Sequence, residues 1–181
     1  MFMNRVRQYS VCAMVVAGTL VGSSALAQQA APAAAGDVRA ALVKDVGNLS
    51  DKFTGLARVM AGKYDWRPGQ GVRSVSEVFN LIVTENNMLA SLIATGKGSM
   101  AGGAAITDPA ALQAALTASY ASVSQALAAV SASDLNASVT LFGQNTTRQG
   151  AVLMLLLDQH EHLGQSIAYA RSNSVVPPWS K

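Results

Sequence analysis

Both histidines of this 181-residue chain fall in one stretch, Leu153 to Arg171, with two carboxylates beside them. Asp158, His160, Glu161 and His162 are residue types that bind divalent metals and move protons near neutral pH. Asp158 and His162 are spaced i, i+4. On a helix that spacing sets both side chains on one face, within reach of one ion or one substrate. His160 and Glu161 are the candidates for a general base. At about 100° per residue from Leu153, however, Leu156, Leu157, Leu163, Gly164 and Ile167 fall on one side, with His160 in its middle. His160 therefore has two readings: a core histidine hydrogen-bonded to another helix, with Asn86 as candidate partner, or a ligand or proton-transfer group. Asp158 and His162 are likewise either a solvated surface pair or a metal pair. No nucleophile elbow, phosphate loop or Ser-His-Asp pattern offers another mechanism.

The elements that must position these groups are helices. Half the chain is apolar, Ala is abundant, and alternating β-branched runs are sparse. Val38, Leu42, Val46, Leu49, Phe53, Leu56 and Met60 recur at steps of three and four and predict a first helix. Ser74 with Glu77 makes a capping box for a second, whose stripe is Val75, Phe79, Ile82, Asn86, Leu89 and Ile93. Asn86 is the one polar residue on that seam. Thr95 to Thr107 is a long glycine-rich connection, and a crossover of that length permits the second and third helices to run parallel. Asp108-Pro109 opens the third helix, with Leu112, Leu116, Tyr120, Val123, Leu127 and Val130 as its stripe. Asp134 to Gln144 reads as irregular, with room for a short extended or helical piece, and Thr146-x-x-Gln149 as the capping box of the fourth helix. Four such helices with no fifth element predict an all-α four-helix bundle. The Pro177-Pro178-Trp179 tail is expected to pack back over one end.

Residues 1–27 read as a secretory signal peptide: Arg5 and Arg7, an apolar run from Val11 to Val21, then Ala25-Leu26-Ala27 at the cleavage site. About 11 apolar residues are too few for a bilayer span, which needs about 20. Residues 28–36 are an Ala/Pro/Gln spacer, and the folded domain is expected over 37–181, opening at Asp37 as an N-cap. Two of the 13 basic residues lie in the leader, which leaves 11 against 10 acidic ones and no basic cluster for nucleic acid. The one cysteine, Cys12, is also lost with the leader. That excludes disulfides, thiolate metal sites and covalent haem attachment in the mature chain. The predicted compartment is across the inner membrane, in the periplasm.

Several segments together resemble the DinB-like (YfiT-like) superfamily: Trp66-Arg67-Pro68, Gly71-Val72-Arg73-Ser74-Val75-x-Glu77-Val78-Phe79-Asn80, His160-Glu-His162-Leu-Gly164-Gln165, Tyr169-Ala-Arg171 and Pro177-Pro178-Trp179-Ser180. The resemblance covers essentially the mature domain. It implies up-down-down-up connectivity and a divalent-metal site (Zn, Ni or Mn) of three ligands, one from the second helix and two spaced i, i+4 on the last. Aligned on Gly164-Gln165, the last-helix pair falls on Asp158 and His162. The second-helix histidine falls on Leu81, which cannot bind a metal, with Asn80 or His160 as substitutes.

Two functional readings follow. The first is an exported helical module with a degenerate metal site, serving a small molecule of unassigned type, with homodimer formation left open. The second is a divalent-metal-dependent hydrolase or transferase using Asp158 and His162. Haem held by His160 and a distant Met is a third. Proteolytic removal of residues 28–36 is expected to leave the domain's thermal transition unchanged, as a melt of the trimmed protein would show. Loss of that transition would place the spacer inside the fold.

Overall fold

Three of the long helices begin at caps their sequences supply. In the computed structural model, which describes residues 38–180, helix α1 spans Val38–Val59 and α2 spans Val75–Thr95. The Ser74 hydroxyl accepts from the Glu77 backbone N–H, and the Glu77 carboxylate accepts from the Ser74 N–H at 2.6 Å. Gly96 ends α2 at φ +74°, a left-handed conformation that favours glycine. Asp108 caps α3 (Pro109–Ala129) by accepting from the Ala111 N–H at 2.7 Å. The predicted leader, the spacer and Asp37 lie outside the described residues.

The region between the third and fourth long helices, expected to be irregular with room for a short extended or helical piece, contains both. A one-turn helix, α4 (Ala132–Leu135), leads into an antiparallel hairpin of β1 (Ser138–Leu141) and β2 (Gln144–Thr147). Val139 and Leu141 alternate inward and are buried, which anchors the hairpin on the bundle. The hairpin also moves the next cap. Thr146 is paired with Val139, so Thr147 becomes the N-cap of α5 (Arg148–Ser172) and accepts from the Gly150 N–H at 3.0 Å.

Cross-helix pairs define the directions. Arg39 meets Val130 while Phe53 stacks on Tyr120, so α1 and α3 are antiparallel. Asn80 holds Ile106 and Asn86 holds Ser119, so α2 and α3 are parallel. Arg73 meets Tyr169 and Ile93 meets Arg148, so α2 and α5 are antiparallel. The bundle runs up-down-down-up, with α1 and α2 each packed on both α3 and α5. At one end Pro178 lies over Gly55 of α1, and Lys52 stands 5.9 Å from the Trp179 ring.

The predicted stripes of α2 and α3 are buried throughout, and that of α1 is buried apart from exposed Val38. The α5 stripe is misphased. Leu153, Met154 and Leu157 are exposed, while Leu155, Leu156, Gln159, Leu163 and Ser166 face the core. His160 is not a core histidine. Its side chain is 43% exposed, and its Nε2 lies 3.0 Å from Asp45 of α1. Two buried polar residues, Gln159 and Ser166, turn the helix away from its hydrophobic average, and Gln159 takes the place expected of His160. The Tyr120 hydroxyl donates to Gln159 Oε1 (3.1 Å), Gln159 Nε2 to Asn86 Oδ1 (2.9 Å), Asn86 Nδ2 to Ser119 Oγ (3.1 Å), and Ser119 to the Leu116 carbonyl (2.9 Å). This satisfied chain ties α2, α3 and α5 together.

Asn86→Leu is expected to destabilise the fold by about 1–3 kcal/mol, because it leaves the Gln159 amide buried without an acceptor. Chemical denaturation checks this. No change would mean that Gln159 finds another partner.

Candidate metal centre

Asn86 and Gln159 are hydrogen-bonded in the core, so their chain neighbours Glu85 and Asp158 meet at its edge. Glu85 of α2 and Asp158 and His162 of α5 each offer one ligand atom, and the three atoms lie within 4.8 Å of one another. This group could hold a metal ion. Glu85 is 3% exposed, whereas the Asp158 and His162 side chains are 47% and 16% exposed. The group therefore runs from the core outward. It forms one wall of a cleft of about 510 Å³ that Arg73 and Leu81 also line. A larger, shallower hollow of about 810 Å³ runs along the hairpin, but no ionisable side chain among the described residues lines it.

The environment of His162 selects which nitrogen is available. The Arg73 carbonyl can only accept, so the Tyr169 hydroxyl donates to it (3.1 Å) and accepts from Gln165 Nε2 (2.7 Å). That orients the Gln165 amide so that its Oε1 accepts from His162 Nδ1 (2.9 Å). The neutral imidazole then carries its proton on Nδ1, and Nε2 presents a lone pair toward Asp158 Oδ2, 3.6 Å away. A backbone-anchored relay behind a histidine is the arrangement that fixes a metal ligand.

Glu85 fits the same role. Its Oε2 is buried and has no hydrogen-bond partner among the described residues. Burial pushes its carboxyl up to about 8, the neighbouring Asp158 carboxylate adds to the rise, and the Arg73 charge partly offsets it. Two carboxylates crowded at the edge of an apolar core, one with an orphaned oxygen, call for a cation. The donor set fits a divalent ion.

The structure redistributes the residues read from the sequence. Asp158 and His162 lie together in the cleft wall. Leu81 lines the cleft but supplies no ligand, and the carboxylate of Glu85 stands one helical turn further along α2. Asn80 is not a substitute ligand: its Nδ2 donates to the Ile106 carbonyl (3.0 Å) and its Oδ1 accepts from the Ile106 N–H (2.8 Å), which clamps the crossover. His160 is engaged by Asp45, and neither His160 nor Glu161 lines the cleft, so neither is placed to act as base there. Glu85 is not among the candidates that the sequence offers. The signal for it was its place midway between Val78 and Leu92 at seven-residue spacing, since both of those are buried.

Because the folded state holds the Glu85 proton more tightly than the unfolded chain, the chelator-treated protein should lose stability as pH rises from about 4.5 to about 8. Glu85→Gln should flatten that slope. Melting temperatures across this range test both, and an unchanged slope in the variant would assign it to another group.

The family model of the DinB superfamily matches residues 48–166, about two thirds of the chain. Two crystal structures of DinB-like proteins share the fold. One, from Bacillus subtilis, has a TM-score of 0.65 at 18% identity and covers 75% of this chain and 93% of its own. The other, from Bacillus cereus, has a TM-score of 0.65 at 16% identity, with 77% and 95% covered. No functionally curated protein matches the chain. With its family model matching about two thirds of its length and reaching into all four long helices, this chain belongs to the DinB superfamily.

Proposed function

We propose that this protein binds one divalent cation through Glu85, Asp158 and His162 and uses it to hydrolyse a small molecule held in the adjoining cleft. The observation that carries this reading is the buried, unpartnered Oε2 of Glu85 beside two further ligand atoms. Glu85 supplies the third ligand that the degenerate-site reading lacked. Two carboxylates and one imidazole suit zinc, nickel or manganese. Calcium prefers six to eight oxygens, and soft copper(I) prefers sulfur. A cation with a position left open to substrate activates water and polarises a substrate oxygen.

The chain's own residues prepare that chemistry. Gln165 and Tyr169 fix the ring of His162, so that the ligand nitrogen needs no reorientation. Arg73 lines the same cleft and supplies a fixed positive charge for an anionic group on the substrate. The leader-like residues 1–27 support a periplasmic location. Low-molecular-weight thiols are scarcer there, which favours hydrolysis over thiol transfer.

Elemental analysis of the mature protein after metal loading is expected to show about one ion per chain. Glu85→Gln and His162→Ala should each weaken uptake by tenfold or more, and Tyr169→Phe by a smaller factor in the same direction. Full-affinity uptake by Glu85→Gln would overturn the assignment.

A further inference from the structure

The cleft beside the metal group has a second, chemically different wall. Phe142 at the hairpin tip, Met154 on α5 and Met100 in the α2–α3 crossover all line it, and they are 66%, 40% and 38% exposed. Three large apolar side chains from three separate elements converge on the mouth of a site whose floor is charged.

Phe142 stands there against a backbone preference. The Leu141–Gln144 pair closes a two-residue turn in which Phe142 has φ +48° and Gly143 φ +79°. Both central residues of such a turn are left-handed, which suits Asn, Asp or Gly at the first position. A bulky aromatic residue at positive φ is an outlier that local folding does not favour. Little packing offsets it, since two thirds of the residue is exposed. Strain of this kind, at the edge of a candidate site, is the pattern of a residue held for binding.

The crossover supplies Met100 with similar constraint. Its backbone at Gly98 lies so close to α2 that an added Cβ would meet Met88 Cγ at 2.8 Å and Leu92 Cβ at 3.2 Å. Asn80 clamps the far end of the same segment at Ile106. The loop is thus held down on both sides of Met100. The volume of this open cleft, about 510 Å³, is in the range of small-molecule sites.

We propose that the cleft takes a small amphiphile, with an anionic or chelating head at Arg73 and the metal group and a short acyl or aryl body against Phe142, Met100 and Met154. The proposal rests on the metal reading above. The occupant is matched by charge at one end and by apolar surface at the other.

Two probes separate these ends: acetohydroxamate, which has only the chelating head, and 4-phenylbutanohydroxamate, which adds an aryl body. Calorimetric titration into the zinc-loaded protein is expected to show the aryl probe binding about tenfold or more tightly than acetohydroxamate. Phe142→Asn should remove most of that advantage while zinc content stays at one per chain. Its melting temperature should hold or rise, because Asn suits the left-handed turn. Met154→Ser should narrow the advantage independently. Equal affinity of the two probes for the unmodified protein would overturn the proposal, as would an advantage that survives both variants. A lower melting temperature for Phe142→Asn would make Phe142 a packing residue and also count against it. Sedimentation showing a Phe142-dependent dimer, with no aryl advantage, would reassign the surface to a contact between subunits. Failure to take up zinc would overturn the metal reading and this proposal with it, whereas zinc uptake without aryl preference would overturn this proposal alone.

Discussion

The hydrogen bond between Gln159 Nε2 and Asn86 Oδ1, 2.9 Å long and fully buried, is the constraint on which the candidate site depends. A helix such as α5, with leucines around much of its circumference, is only loosely phased by apolar burial. A buried amide pair fixes the phase, since any slip leaves donor and acceptor unsatisfied in a medium that penalises both. Tyr120 and Ser119 extend the pair into α3, so three helices share one phase. Glu85 and Asp158 are the chain neighbours of that pair. Their approach follows from where the amides must be.

That approach carries an electrostatic penalty in the absence of a cation. Glu85 is buried at the bundle edge with Asp158 beside it, and its proton is held far above the usual carboxylate range. Uncompensated buried carboxylates are destabilising, and proteins retain them chiefly where a partner or an ion completes them. On the other side of the group, the relay from His162 through Gln165 and Tyr169 ends on a backbone carbonyl and holds the imidazole in one orientation. The cleft then joins this charged floor to an apolar mouth, a combination absent from a surface hydrogen bond such as that between His160 and Asp45.

Much of the bundle was legible because its signals are local. Ser74 with Glu77, and Asp108 with Pro109, act through hydrogen bonds and dihedral preferences within one turn. The stripes of α2 and α3 are pure enough for periodicity to phase them. The phase of α5 was not legible in this way. Leu153 and Leu157 lie outside and Gln159 inside, because the rotation is decided by a polar partner on another helix, which a single-helix pattern does not contain. The same long-range dependence hid Glu85. Leu81 stands where the family resemblance expects a histidine, and only the packing of α2 on α5 shows that the carboxylate one turn later faces Asp158 and His162. The hairpin was legible only as irregular chain with room for a short extended piece, because its turn, Phe142-Gly143, carries an unfavoured residue in place of the usual Asn or Asp.

A crystal structure of the zinc-loaded protein, with anomalous data collected at the zinc edge, is the direct check on this site. One peak is expected in contact with Glu85, Asp158 and His162 together, with His162 bound through Nε2 and Gln165 still hydrogen-bonded to Nδ1. A peak on His160 and Asp45 alone would contradict that assignment. So would zinc at Asp158 and His162 with Glu85 turned away.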